Sequence, residues 1–346
     1  MNTLSHAGRS SSSGLKPAIM LRIVENARDS PKFRYDNNHK HYHGGDLVDD
    51  VAALTSFILG VRVFGGSLRR EFNHYTGPLG NPMEYNSKVR PSLDIDYTLL
   101  RIPRATTGID LRVLSAIDRI ALLPVHDSTA LIKAARLYQQ SLLLCESIPE
   151  MSWLLMVSAI ETLASNRGLK DFSPVNMFRD AHTSIADRLR RFPLFEAHLA
   201  NSFAPLLKST AKFKGFLREF CPPAPTKRPP LFVCSSFEKE KFEIDIGKIY
   251  RYRSKHLHEG IAFPGPMCDA PRYWSGPENP DECYSEKPMD GGANYGGASW
   301  GSGSCPMLLC HFEYIARGSI INWWKSLDAQ ITVDVDSRSV AKPAFH

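Results

Sequence analysis

The chain lacks the long apolar run that a membrane-spanning helix requires. No stretch approaches the roughly 18 consecutive apolar residues that cross a bilayer, so we expect no membrane partner. Residues 1–15 also lack the apolar core of a secretion signal, because residues 6–13 are polar or small. We therefore expect a disordered leader over residues 1–15 and a cytoplasmic location.

A disulfide framework is also missing. The chain has seven cysteines, an odd number, and their spacings do not resemble those of small secreted domains. Several of them lie in apolar stretches, where a thiol usually serves as a small hydrophobic side chain. This usage is typical of a reducing compartment.

Several common catalytic motifs are absent as well. The sequence has no glycine-rich loop of the nucleotide-binding types, no nucleophile elbow and no metalloprotease helix with paired histidines. With 43% hydrophobic and 23% charged residues, the composition is that of an ordinary globular protein. The net charge of +6 is compatible with a polyanionic partner without requiring one.

The first third of the chain has mixed patterns. Residues 46–60 combine early acidic residues, an apolar stripe and a terminal glycine, which predicts one helix. Residues 61–64 and 97–102 are predicted to form short strands. We assign residues 16–120 to a smaller mixed α/β region of unknown role.

The rest of the chain is predicted to be mainly α-helical. Successive helical patterns assign residues 121–327 to an antiparallel bundle, in which Ser128 is expected to cap a long helix. Residues 264–306 are rich in Gly and Pro and are interpreted as a flexible insertion. Residues 328–346 are interpreted as a loose tail.

Two predicted helices carry a charge among apolar residues. Residues 151–164 are apolar on nearly all sides, which predicts a helix in the middle of the bundle, and Glu161 is its only charged residue. The helix predicted over residues 237–258 presents an apolar face consisting of Phe242, Ile246, Ile249, Tyr250 and Leu257. Arg253 falls near the centre of that face. Because an unpaired buried charge is very costly, we predict that Arg253 pairs with Glu161. The alternative is that Arg253 extends alone to the rim of the bundle.

His258 lies in the last predicted turn before Gly260. A helix C-terminus favours a protonated imidazole, so His258 suits a general acid or base near neutral pH. On a regular helix Arg253 and His258 point roughly 140° apart. A frayed last turn would bring both to one phosphate, where His258 would move a proton and Arg253 would stabilise the charged phosphorus centre.

The segment over residues 249–260, IYRYRSKHLHEG, resembles the Arg–His motif of HEPN domains. The aromatic residue before Arg-Ser, and the His near Gly, are most similar to the Apea-like branch. Residues 154–163, LLMVSAIETL, resemble the apolar helix of that branch with its embedded Glu. The resemblance covers roughly residues 125–327.

The resemblance implies a HEPN-like antiparallel bundle of four or five helices that commonly forms a homodimer with two Arg–His motifs across a shared cleft. It implies a metal-independent endoribonuclease without a cofactor, in phage defence or toxin-like growth control, with RNA and a regulatory or antitoxin protein as partners. Arg253 and His258 would be the catalytic pair, with Glu161 and Ser254 in support. Ser254 stands where catalytic members often have Asn, Asp or His.

Two alternatives remain within this resemblance. Arg251 and His256 have the same spacing as Arg253 and His258, although the flanking residues favour the latter pair. The domain would alternatively be a non-catalytic module that binds RNA or holds a dimer.

Four weaker groups are also noted. A metal site is conceivable at either of two groups: His39, His41 and His43, or Cys268, Cys283, Cys305, Cys310 and His311. Base stacking is conceivable at the aromatic residues of the insertion: Tyr273, Trp274, Tyr295 and Trp300. A phosphate-facing stripe is conceivable at the cations of one helix: Lys208, Lys212, Lys214 and Arg218. Ordinary loop packing and a solvated helix face are the competing interpretations.

Overall fold

A computed structural model of the chain describes residues 2–3, 17–18, 44–66, 70–72, 77–82, 100–103, 110–167, 173–276, 279–289, 293–295 and 297–327. The chain divides into two compact units, residues 1–40 and 41–346. In the first unit, strand β1 (Asn2–Thr3) pairs with β2 (Pro17–Ala18) in antiparallel register. The described part of the chain is mainly helical, and none of its helices is both long and apolar enough to span a membrane.

The second unit is built from α-helices with a few short hairpins. Its α-helices are α1 (Leu47–Leu59), α2 (Val125–Leu144), α3 (Pro149–Arg167), α4 (Pro174–Ala181), α5 (Thr183–Leu189), α6 (Pro193–Phe220), α7 (Lys239–Glu259) and α8 (Leu309–Leu327). Its 3₁₀ helices are Leu111–Leu122, Leu231–Val233, Gly265–Cys268 and Ser302–Ser304. Its antiparallel pairs are β3 (Arg70–Glu71) with β4 (Asn81–Pro82), β5 (Tyr273–Gly276) with β6 (Asn279–Tyr284), and β7 (Ala293–Tyr295) with β8 (Ala298–Trp300).

Helix α1 has the ends that its sequence predicts. The Asp46 carboxylate accepts a hydrogen bond from the Asp49 amide at 2.9 Å, and Gly60 ends the helix at a φ of 64°. The strand predicted at residues 61–64 is wrong. The Val61 amide donates to Ser56 and the Val63 carbonyl accepts from the Gln139 side chain, so these backbone groups bond to α1 and α2. Of the strand predicted at 97–102, residues 97–99 lie outside the described residues and 100–102 are not a strand.

Helix α1, from the region assigned to residues 16–120, packs into the same core as the later helices. The buried Phe57 ring meets the edge of Tyr138 with ring centroids 5.6 Å apart and lies 6.5 Å from Trp324. The buried Arg317 of α8 donates to the Phe57 carbonyl at 2.9 Å and to the Ile58 carbonyl at 2.5 Å. These carbonyls at the end of α1 have no partner within their own helix, so α8 supplies one.

Helix α2 begins earlier than predicted, and without a side-chain cap. It starts at Val125 directly after Pro124, and the Ser128 hydroxyl donates to the Val125 carbonyl instead of capping the helix. Before it, Leu111–Leu122 forms a 3₁₀ helix. One side of α2 and its C-terminal end are fully buried, at Leu131, Ala134, Ala135, Tyr138, Leu142 and Cys145.

Helix α3 lies in the middle of the bundle, as its apolar sequence predicts. It packs against α2, α6, α7 and α8. The Trp153 ring stacks between Phe263 and Phe312, at centroid distances of 5.7 and 4.9 Å, and its indole N–H donates to the Met267 carbonyl. The prediction that α3 is the central helix is therefore confirmed.

The range predicted as a flexible insertion contains two hairpins, and both of its ends pack into the bundle. Met267, Cys268 and Cys305 are buried in the main core. In the middle of the range, the buried Glu286 carboxylate accepts two hydrogen bonds from Arg228, at 2.9 and 2.6 Å. The insertion therefore differs from the predicted loose loop. The predicted tail at 328–346 lies outside the described residues.

If α1 belongs to the bundle, Phe57→Ala will lower the free energy of unfolding by about 3–5 kcal/mol, because it leaves a cavity between α2 and α8. Denaturant unfolding of the full chain measures the change. The matched control is Leu47→Ala, at an exposed position of the same helix, which should change stability by less than about 0.5 kcal/mol. Equal stability of both variants would place α1 outside the core.

Candidate functional site

Helix α7 presents the predicted apolar face to the bundle. Its last turn ends at Gly260, whose φ of 67° suits a glycine at a helix end. Four of the five predicted face residues are buried: Phe242, Ile246, Ile249 and Tyr250. The prediction is wrong for Leu257, which is 47% exposed because the last turn of α7 extends beyond the apolar core.

Arg253 and Glu161 form the predicted ion pair. The Arg253 Nη2 donates to the Glu161 Oε2 at 2.5 Å. Both side chains lie at the edge of the core, with exposed fractions of 19% and 18%. Because the pair links α7 to α3 at this depth, Arg253 does not extend alone to the rim, and its charge is balanced inside the fold.

Tyr250 completes this cluster and was assigned by the sequence only to the apolar face. Its hydroxyl donates to the Glu161 Oε1 at 2.9 Å, so the carboxylate is held through both oxygens. The Arg253 guanidinium lies 5.7 Å from the centre of the Tyr250 ring, within reach of a cation–π interaction. The sequence signal was available, since a buried tyrosine usually needs a partner for its hydroxyl.

The Tyr250 hydroxyl is held in its protonated, donating form. Burial raises the pKa of Tyr250 to about 12, and the Glu161 charge acts in the same direction. The Arg253 cation and the neighbouring Ser209 hydroxyl of α6 partly oppose this rise in pKa. Groups from three helices, α3, α6 and α7, therefore act on this hydroxyl.

One buried donor of the Arg253 guanidinium has no partner among the described residues. Its Nε is buried and has no hydrogen-bond acceptor among the residues that the structure describes. Buried donors without partners are rare and cost about 1–3 kcal/mol each. Oxyanions are the acceptors that guanidinium groups bind most strongly.

His258 does not join this cluster within one chain. The helix stays regular through Glu259, so the predicted fraying is absent and His258 points roughly 140° away from Arg253. His258 is exposed and makes no hydrogen bond or ion pair with any described residue. Ser254 is half-buried and lies roughly 100° from Arg253 on the helix. The structure thus brings Arg253 and Glu161 together, and leaves His258 and Ser254 on other sides of α7.

Arg251 and His256, the alternative pair with the same spacing, lie in a different environment. The His256 Nδ1 lies 3.2 Å from the Ile261 carbonyl, and its ring packs 5.8 Å from Phe263. His256 therefore holds the chain that returns after Gly260, whereas Arg251 is exposed.

Neither conceivable metal site gains support. His39, His41 and His43 lie outside the described residues. Within the described ranges, no three His, Cys, Asp or Glu side chains come together as a metal would require. Burial raises the pKa of Cys268 to about 12 and that of Cys305 to about 11.

Most aromatic residues of the insertion pack against the protein itself. Trp274 meets the edge of Phe232 at 5.7 Å, Tyr273 contacts Tyr284 at 5.3 Å, and Trp300 packs on the main core. The side chain of Tyr295 lies outside the described residues. Loop packing accounts for the three described side chains.

Comparison of the chain with models of protein families, with curated proteins and with solved structures finds no match in any of the three. The site is therefore interpreted from its own geometry.

A double-mutant cycle on Glu161→Ala and Arg253→Ala should give a coupling energy of about 1–3 kcal/mol, because either single change leaves a half-buried charge without its partner. Denaturant unfolding of the four proteins supplies the values. The exposed pair Asp187–Arg190 provides the matched control and should show no measurable coupling. Equal coupling in both cycles would contradict the assigned role of the Glu161 pair.

Tyr250→Phe should lower stability by about 1 kcal/mol at neutral pH, since only the hydrogen bond to Glu161 is lost. The folded chain favours the protonated hydroxyl. The difference in unfolding free energy between the wild type and Tyr250→Phe therefore has its full value below the ordinary tyrosine pKa of 10, and it declines as the pH rises through about 12. Unfolding of both proteins between pH 9 and 12 measures it. A difference that stays constant to pH 12 would refute the assigned pKa.

Proposed function

We propose that this chain is a metal-independent endoribonuclease of the HEPN type, with Arg253 as the phosphate-binding cation and His258 as the proton-transfer group. The observation that carries the proposal is the Arg253 guanidinium. It is fixed at the edge of the core by Glu161 and Tyr250, and its buried Nε has no partner among the described residues. A preorganised cation of this kind stabilises charge that develops at phosphorus.

The reaction needs no metal or cofactor. The RNA 2′-hydroxyl gives its proton to a base and attacks the adjacent phosphorus, and the 5′-oxygen leaves with a proton from an acid. The products are a 2′,3′-cyclic phosphate and a 5′-hydroxyl end. His258 is accessible for the proton transfers, while Arg253 offsets the negative charge of the phosphorane.

The divergence of Arg253 and His258 implies that one chain does not present both to the same phosphate. A homodimer resolves this, because a twofold axis brings Arg253 of one copy opposite His258 of the partner subunit. A role in phage defence or toxin-like growth control, with a regulatory protein that restrains the site, belongs to the same proposal.

One observation favours a second candidate, a non-catalytic module that binds RNA or holds a dimer. Glu161 already occupies the Arg253 Nη2, so a phosphate must compete with a carboxylate for the guanidinium. In this case the cluster fixes α3 against α7, and His258 contacts only a partner chain.

The two candidates separate in a cleavage assay on labelled single-stranded RNA and tRNA in EDTA. The enzyme should leave cyclic-phosphate ends, and Arg253→Ala and His258→Ala should each reduce cleavage by about 100-fold or more. The matched control is Arg251→Ala on the exposed side of α7, which should cleave like the wild type. Absence of cleavage by the wild type, with RNA binding or dimerisation retained, favours the module.

Mixing the two inactive variants tests whether the site is shared between copies. If Arg253 and His258 act across a dimer, each mixed dimer has one intact site, so random mixing should restore about a quarter of wild-type activity. No recovery after confirmed subunit exchange would place the whole site within one chain.

A further inference from the structure

Helix α6 borders the Arg253 cluster along one side. The carboxylate of Glu219 pairs with Arg167 of α3, which identifies the side of α6 that faces α3. Lys212 and Lys208 lie seven and eleven residues before Glu219, and on a helix both fall within roughly 20° of its direction. The two lysines therefore border the space between α3 and α6.

The space between α3 and α6 lies beside the Arg253 cluster. Phe213 lies next to Lys212 in sequence, and its ring centroid is 5.1 Å from that of Tyr250. Ser209, next to Lys208, also acts on the pKa of the Tyr250 hydroxyl. Tyr250 in turn bonds Glu161, the partner of Arg253. Lys208, Lys212 and Arg253 are thus placed at the junction of α3, α6 and α7, which we call the cleft, with Lys208 and Lys212 about one helical turn apart.

The charges in this cleft are not balanced. Lys208 is exposed and Lys212 is half-buried, and neither forms an ion pair with any carboxylate among the described residues. Arg218, which the sequence grouped with them, instead donates to Glu243 of α7 at 2.7 Å. Lys214 lies roughly 120° from Lys208 and 160° from Lys212. The structure therefore divides the predicted stripe and leaves Lys208 and Lys212 at the cleft without a carboxylate partner in the described part of the chain.

We propose that this cleft binds the sugar–phosphate backbone of single-stranded RNA, with Lys208 and Lys212 on phosphates next to the one that Arg253 contacts. The choice of RNA rests on the proposed function. Single strands fit better than duplexes, because the Arg253 side chain is only 19% exposed between packed helices. A wide, rigid A-form helix does not enter such a gap, whereas a flexible single strand does.

The test is binding of a labelled single-stranded RNA with 2′-O-methyl groups, which is not cleaved by its own 2′-hydroxyl. At 0.1 M salt, Lys208→Ala and Lys212→Ala should each weaken binding by about fivefold, and the double variant by about 25-fold. The slope of log affinity against log salt should fall by about 0.7 for each lysine removed. Lys214→Ala is the matched control and should change neither quantity by a comparable amount.

The outcomes distinguish a failure of the proposed RNA binding from a failure of the proposed cleavage reaction. If the lysine variants lose RNA affinity but the wild type does not cleave RNA, RNA binding at the cleft is supported and the proposed ribonuclease activity is refuted. Cleavage that is insensitive to both lysines, or an equal effect of Lys214→Ala, would refute the cleft alone. Tighter binding of a duplex of the same length, or no binding of the single strand, would also overturn it. Thermal unfolding of each variant checks that the surface changes leave the fold intact.

Discussion

The burial of α3 is the constraint on which the rest of the structure depends. A helix that is apolar on nearly every side is stable in water only when other helices cover all of those sides. Helices α2, α6, α7 and α8 do so, and Trp153 is stacked on both faces. The charge of Glu161 is then tolerable only at an edge of the bundle, where a cation from a covering helix can reach it. The position of the Arg253 cluster therefore follows from the way the covering helices pack around α3.

Local signals predicted the helices, and long-range contacts decided how they are grouped. Asp46 and Gly60 mark the ends of α1 by capping, which involves only neighbouring residues. The membership of α1 in the bundle depends on Arg317, about 260 residues later, which binds the carbonyls of Phe57 and Ile58. No periodicity within α1 reports that contact. The strand at residues 61–64 failed for a similar reason, because the Val63 carbonyl bonds to Gln139 of α2 instead of to another strand.

Of the candidate site, the sequence predicted the ion pair of Arg253 with Glu161 but not the other residues around it. A single charge on each of two apolar faces leaves few partners, so charge balance alone predicted Arg253 with Glu161. The contribution of Tyr250 depends on how α7 is rotated against α3, and that of Ser209 depends on where α6 crosses both. Those are properties of packing between three helices. The same packing separates Lys208 and Lys212 from Arg218, which the sequence placed in a single stripe.

The end of α7 determines how the site is completed. Gly260 in the left-handed conformation ends the helix only after a full last turn, and the Gly260 and Ile261 amides both donate to the Lys255 carbonyl. The Nδ1 of His256 also lies within hydrogen-bond distance of the Ile261 carbonyl. Unwinding this turn to bring His258 beside Arg253 would break several hydrogen bonds, each worth about 1 kcal/mol. In the proposed homodimer, the second chain supplies a histidine without that cost. The rigid turn therefore favours the proposed composite site over rearrangement within one chain.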